Sequence, residues 1–161
     1  MGSWADFFVA ELGAAAALTG LVIVAISINV TRILAHPLLP GRAAETLVAP
    51  TGVLVVASCA LIPHQPDWLF ASELGVIGAL MWLIPVWLQA RVIGSGESYS
   101  SWRFLVPRAL LGQFSSLPFL VAAVLIVLGH SSGLYWIVPG VVVSLIVTVI
   151  NAWVLLVEIL R

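Results

Sequence analysis

Long apolar stretches alternate with short polar gaps along the whole chain, and this pattern is the strongest signal in the sequence. Each stretch is about 20 residues long, the length that an α-helix needs to cross a hydrocarbon core of about 30 Å. We predict a transmembrane helix for each of the five stretches: 12–34, 46–62, 69–92, 104–128 and 134–160. The pattern therefore predicts an all-α polytopic integral membrane protein, with residues 1–161 forming a single transmembrane domain.

The composition agrees with this prediction and narrows the possible partners. Hydrophobic residues make up 62% of the chain and charged residues only 8%, whereas about a quarter of the residues in a soluble domain are charged. There is no lysine and no basic tail, so we expect a lipid bilayer as partner and no nucleic acid. Lysine-free, Ala/Val/Leu-rich usage favours a GC-rich bacterial genome, and hence a location in the bacterial plasma (inner) membrane.

The positions of the arginines predict how the helices are oriented. Arginine-rich loops stay on the cytoplasmic side of a membrane. The second and fourth polar gaps contain no arginine, and neither does the N-terminus. Five crossings with the N-terminus outside and the C-terminus inside place every arginine on the cytoplasmic side: Arg32, Arg42, Arg91, Arg103, Arg108 and Arg161.

A stripe of polar residues follows one face of the fifth stretch. Ser144, Thr148 and Asn151 share this face because a helix advances about 100° per residue. A polar stripe in lipid must face protein or water, since an unpaired polar group there is costly. The short fourth gap predicts an antiparallel hairpin folded about residues 131–132, which would place Ser115 level with Thr148 and Phe119 level with Ser144.

Two interpretations of this stripe remain open at the level of sequence. In the first, its side chains line an ion pathway, joined by Asn29 at the inner end of the first stretch: Asn29, Ser115, Ser144, Thr148 and Asn151. In the second, the stripe only holds helices together, because Ser, Thr and Asn are common at helix–helix contacts in membranes.

Acidic residues collect at the predicted outer surface, which holds no arginine. Glu11, Asp67 and Glu73 would form an acidic mouth that concentrates cations. His64 and His130 also lie on this side and are weak candidates for a metal or pH-sensing site. They approach each other only if the second and fourth stretches are neighbours; otherwise they are solvated loop histidines.

Arg108 lies inside the fourth stretch, a few residues from its cytoplasmic end. An arginine at that depth needs an anionic partner or must extend its side chain to the membrane surface. We predict a buried ion pair with Glu158, one turn from the level of Arg108 in the adjacent stretch, or otherwise with Glu45.

The chain has no motif for catalysis or cofactor binding. It lacks a glycine-rich phosphate loop, a Cys-x-x-Cys pair, a His-Glu-x-x-His motif and any histidine at mid-membrane depth. We therefore expect no enzyme activity and no cofactor. Small residues four apart in the first stretch, Gly13/Ala17 and Ala16/Gly20, permit close approach of another helix and favour a homo-oligomer.

These features lead to two functional hypotheses. The first is a small oligomeric channel, or channel-like permease, for a small inorganic cation. The second is a non-conducting accessory or scaffold membrane protein that assembles through its polar helix faces.

Overall fold

A computed structural model describes residues 4–35, 39–94 and 102–154, with the backbone alone at 92–94 and 102–109. The described chain is helical throughout, apart from short turns. Its helices are α1 (Ala5–Ile28), α2 (Val30–Ala35), α3 (Leu39–Ala60), α4 (Asp67–Gly94), α5 (Trp102–Val127) and α6 (Gly133–Trp153).

Five of these helices are long and apolar enough to cross a membrane, counted over the described residues. This confirms the prediction of an all-helical chain with five candidate spans. The short α2 is the exception, because α1 ends at Ile28 and the chain bends at Asn29 before helix resumes. The Asn29 amide Nδ2 donates to the Ala25 carbonyl at 3.1 Å, a local bond of the kind by which Asn competes with regular helix.

Two spans start earlier than their apolar content predicts. The first begins at Ala5 rather than at residue 12, because the aromatic residues at its start are helical and pack on α6: Trp4 meets Tyr135 with ring centroids 4.9 Å apart. The second begins at Leu39 rather than at residue 46 and takes Arg42 and Glu45 into the helix. Pro40 suits its first turn, where the missing N–H has no helical partner to lose.

The helices pack as a ring with α3 and α6 touching across it. Along the ring, α1 packs on α3, α3 on α4, α4 on α5, α5 on α6, and α6 on α1. The core between them is apolar and includes Phe8, Val53, Leu74, Phe119 and Ile137. In a membrane, neighbouring helices would gain little from burying apolar surface, so shape complementarity and polar contacts would decide this packing.

The register of α5 against α6 differs by one helical turn from the predicted one. The chain reverses at Gly129, whose φ of 79° is a left-handed conformation that glycine adopts readily. As a result Ser115 is level with Ser144, at 2.7 Å between the hydroxyl oxygens, and the Phe119 ring packs on Gly140. The expected levels of Ser115 with Thr148 and of Phe119 with Ser144 are therefore wrong.

The orientation of the bundle in the membrane stays a prediction, and cysteine labelling tests it. Cysteine placed at Ser132 in a Cys59→Ala background should react with an impermeant thiol reagent added outside intact cells. Cysteine placed at Ser98, which lies outside the described residues, should react only after the membrane is permeabilised, because the third gap is the arginine-rich one. The reverse labelling pattern would overturn the N-out, C-in topology.

Candidate functional site

The polar stripes of α5 and α6 meet inside the protein. Ser115 and Ser144 are 4% and 0% exposed, and their hydroxyl groups hydrogen-bond to each other at 2.7 Å. Each hydroxyl therefore has a protein partner, which removes the cost of placing it in an apolar environment. The contact ties the middle of α5 to the middle of α6.

The rest of the stripe is also packed against protein. Thr148 is 0% exposed and its hydroxyl donates to the Ser144 carbonyl at 2.7 Å, within α6. One turn before Ser144, the ring of Phe119 lies so close to Gly140 that a Cβ there would be 3.0 Å from it. Asn151, at the other end of the stripe, is partly buried. Side chains fill the space beside the stripe from Gly140 to Thr148.

Asn29, the fifth residue of the predicted pathway, is also buried, with 3% of its surface exposed. It lies at the break between α1 and α2, and its bond to Ala25 accounts for part of its polar surface. Asn29 follows the last residue of α1, and the bond from its side chain to the Ala25 carbonyl accounts for the break in the helix at this point. The role of Asn29, Ser115, Ser144, Thr148 and Asn151 in ion passage stays a prediction.

A second polar group joins the α3–α4 turn to the start of α4. The Gln65 amide donates to the Glu73 carboxylate at 2.6 Å. The other Gln65 amide atom, Oε1, is buried and has no hydrogen-bond partner among the described residues. Glu73 is thus bound to Gln65 and partly buried rather than extended into solvent.

Glu11 occupies a different environment from Glu73. It lies on the face of α1 that carries the buried residues Phe8 and Ala15, and its Oε2 atom is buried with no hydrogen-bond partner in the described part of the chain. Such an oxygen is costly unless a proton or a cation neutralises it.

Asp67 is the third acid of the predicted mouth, and it is exposed. It lines a shallow cavity of about 220 Å³ together with His130 and Ser131 of the α5–α6 turn. His64 lies on a separate turn with a φ of 57°. No three His, Cys, Asp or Glu side chains come close enough to hold a metal in the residues that the structure describes. The two histidines therefore remain weak candidates.

A third polar group links α3 with α4 at the opposite end. The Gln89 amide donates to the Glu45 carboxylate at 2.8 Å. Glu45 therefore has a glutamine of α4 among its partners. The predicted pairing of Arg108 with Glu158, or otherwise with Glu45, involves the Arg108 side chain, which lies outside the described residues, and it stays a prediction.

Three glutamine side chains make contacts that the polar stripes do not predict. Gln65 and Gln89 each bind a carboxylate, and Gln113 of α5 accepts a hydrogen bond from the Trp82 indole of α4. None of the three belongs to a polar stripe. The signal was present nonetheless, because an amide inside or beside an apolar span requires a partner.

Comparison with known proteins gives no further guide to function. The chain matches no family model, no characterised protein and no solved structure.

Proposed function

We propose that this protein is a non-conducting accessory or scaffold protein of the membrane, in which the polar stripes hold the chain's own helices together. The observation that carries the proposal is the Ser115–Ser144 contact: both hydroxyl groups are buried and bonded to each other. Thr148 next to them is fully buried as well. An ion in the middle of the bilayer needs oxygen atoms free to replace its water, and these hydroxyl groups are already engaged within the protein.

The contact between α5 and α6 also determines which surface is left for binding another chain. The stripes are used between α5 and α6, so a partner must bind elsewhere. Among the five candidate spans, α1 has the smallest share of buried residues. Its outward face is lined by small residues, and a Cβ added at Gly13 or Gly20 would meet no described atom within 4 Å. Small residues four apart allow two helices in lipid to approach closely, so we assign partner contact to this face of α1.

The test uses full-length protein reconstituted into liposomes. We expect sodium and potassium flux at the level of protein-free liposomes, because the hydroxyl groups of Ser115, Ser144 and Thr148 are buried and bonded within the protein. We also expect energy transfer between labelled copies in the same bilayer, and its loss in Gly13→Leu. Gly112→Leu is the matched control: this glycine also has no described neighbour within 4 Å of a Cβ, but it lies on α5. Energy transfer that survives Gly13→Leu and falls in Gly112→Leu would contradict the role of α1.

A cation permease is the second candidate, and a specific observation favours it. Each end of the α3–α4 pair carries a carboxylate bound to a glutamine, Glu73 with Gln65 and Glu45 with Gln89. Between them, Gly52 of α3 packs directly against the Met81 side chain of α4. Carboxylates at both ends of a helix pair attract cations to both of its ends. For an ion to pass between them, the direct contact of Gly52 with Met81 would have to open.

The flux measurement separates the two candidates. Flux above the protein-free level would contradict the non-conducting proposal. If the α3–α4 pair carries that flux, Glu73→Gln should reduce it strongly. Asp67→Asn, which removes an exposed carboxylate at the same end of α4, should leave most of it intact.

A further inference from the structure

Glu11 carries a carboxyl group on the buried face of α1. The residues one turn to either side of it, Phe8 and Ala15, are 2% and 0% exposed. Because a helix advances about 100° per residue, Glu11 lies between them on that face. Glu11 itself is partly buried, and its Oε2 atom is buried without a hydrogen-bond partner in the described part of the chain. This oxygen therefore faces protein rather than solvent.

The core beside this part of α1 is apolar. Phe8 and Ala15 belong to one hydrophobic cluster with Ala57 and Ala60 of α3 and Ile137 of α6. Helices α3 and α6 both pack on α1. None of these cluster residues has a polar side chain, so none can donate a hydrogen bond to the Glu11 carboxyl group through its side chain.

The described titratable and charged groups on α1 and on the helices packed against it, α2, α3 and α6, fall into two sets. Those at the opposite end of the bundle from Glu11 are Arg32, Arg42 and Glu45. Those at the same end are Asp6, Cys59 and Tyr135. No member of either set forms a hydrogen bond with the Glu11 Oε2 atom. The protein thus supplies no described group that neutralises this oxygen.

The depth of Glu11 makes an unpartnered negative charge expensive. Glu11 lies six residues after Ala5, the first residue of α1, which is about 9 Å along the helix axis. In a membrane-spanning α1 of about 36 Å, that position is inside an apolar core of about 30 Å. An ionised carboxylate without a partner is costly there.

A proton suits this position better than a metal ion does. Hard cations such as Mg²⁺ and Ca²⁺ take about six or more oxygen ligands, and among the described residues no three His, Cys, Asp or Glu side chains come together. A proton needs only one oxygen atom. It removes the negative charge of the carboxylate without requiring any further ligand from the apolar surroundings.

We propose that Glu11 is a proton-binding site, whose carboxyl group stays protonated in the folded protein at neutral pH. The proton is released only where water reaches the group, which requires this part of α1 to separate from its neighbours. Glu11 then adds no charge to the acidic mouth predicted with Asp67 and Glu73. The proposal goes beyond the scaffold function and does not depend on whether the protein conducts ions.

Labelling with dicyclohexylcarbodiimide tests for the proton. This reagent takes the acid proton onto one of its nitrogens while the carboxyl oxygen bonds to its central carbon. The acyl group then migrates to nitrogen, so the whole reagent stays attached and nothing leaves. In full-length protein in phosphatidylcholine liposomes at pH 7, mass spectrometry should find at least about tenfold more label on Glu11 than on Asp6, since an exposed carboxyl group is ionised at that pH. Asp6 is the internal control, because it is exposed on the same helix.

Two labelling results would overturn the proposal. Glu11 labelled no more than Asp6 would mean that the Glu11 carboxyl group is ionised. Label on Glu11 that falls when sodium chloride or calcium chloride replaces choline chloride would mean that a metal cation occupies the position.

The pH dependence of unfolding is an independent test, and it uses Glu11→Gln, which keeps the size of the side chain but does not titrate. Between pH 5 and pH 7 the unfolded wild type releases the Glu11 proton and the folded wild type keeps it. The unfolding equilibrium constant of the wild type should therefore rise relative to that of Glu11→Gln by up to about tenfold per pH unit. Asp6→Asn is the matched control, and its ratio to the wild type should stay constant. A ratio of wild type to Glu11→Gln that does not change over this range would show that folded Glu11 is ionised and would overturn the proposal.

Discussion

Replacing Gly133 with leucine is expected to lower the free energy of unfolding by about 3 kcal/mol, the upper part of the usual range for an overpacked core. Gly133 is the first residue of α6 and is buried against α5. A Cβ there would lie 2.9 Å from the Ala122 carbonyl oxygen and 3.1 Å from the Ile126 backbone nitrogen. These are backbone atoms of a helix, so they cannot rotate away as a side chain would, and α6 must separate from α5.

Reversible unfolding in mixed micelles, followed by circular dichroism, measures this loss. Gly112→Leu serves as control, because it introduces the same side chain on α5 where no described atom lies within 4 Å of a Cβ. We expect its effect to stay within about 0.5 kcal/mol, as for substitutions away from packed contacts. Equal losses in the two variants would mean that the close approach at Gly133 does not hold in solution.

The sequence predicted the five spans because lipid imposes a simple requirement on length and polarity. This requirement can be checked in the sequence alone, because a helix of about 20 apolar residues satisfies it whichever helices surround it. The residues at which helices begin were harder to predict, as the early start of α1 at Ala5 shows. Its first turn is stabilised by the edge-to-face contact of Trp4 with Tyr135, residues that are far apart in the chain. No local pattern around Trp4 contains that information.

The α5–α6 hairpin shows the same limit for register. Two polar stripes facing each other are visible in the sequence, and Ser115 does meet the stripe of α6. Which hydroxyl it meets depends on where the chain reverses. Gly129 makes the turn early through its left-handed conformation, while Gly133 allows α6 to approach α5 at once. A shift of four residues keeps the same face of a helix inward, so the face could be predicted although the level could not.

The glutamine contacts could not be predicted from periodicity, because each depends on one isolated glutamine and not on a repeating pattern of polar residues. Gln89 reaches Glu45 only because α3 and α4 are neighbours, and Gln65 reaches Glu73 because the α3–α4 turn folds back onto the start of α4. Their chemistry nevertheless bears on function. Polar groups within membrane-spanning helices are expensive and serve either assembly or transport. In α5 and α6 they are engaged with each other and favour assembly. In α3 and α4 they leave two carboxylates at the ends of an apolar contact, which is why permeation is retained as the second candidate.

The second large effect concerns the contact between Gly140 and Phe119, and it tests the corrected register. A Cβ at Gly140 would lie 3.0 Å from the Phe119 ring, which is itself fully buried. Gly140→Leu should therefore cost about 2 kcal/mol through overpacking, and Phe119→Ala about 3 kcal/mol through the cavity that it leaves. Because the new leucine would occupy the space left by the ring, the double variant should be more stable than the sum of the two losses predicts, by at least about 1 kcal/mol.

Phe114→Ala provides the matched control for this cycle, since Phe114 lies on the same helix but is 65% exposed. Combined with Gly140→Leu, it should give additive losses. In the register predicted from the sequence, Phe119 is level with Ser144 and no ring lies against Gly140. That register would give additive losses for Gly140→Leu combined with either Phe119→Ala or Phe114→Ala. Additivity of Gly140→Leu with Phe119→Ala would thus contradict the observed α5–α6 register, and with it the Ser115–Ser144 contact on which the non-conducting proposal rests.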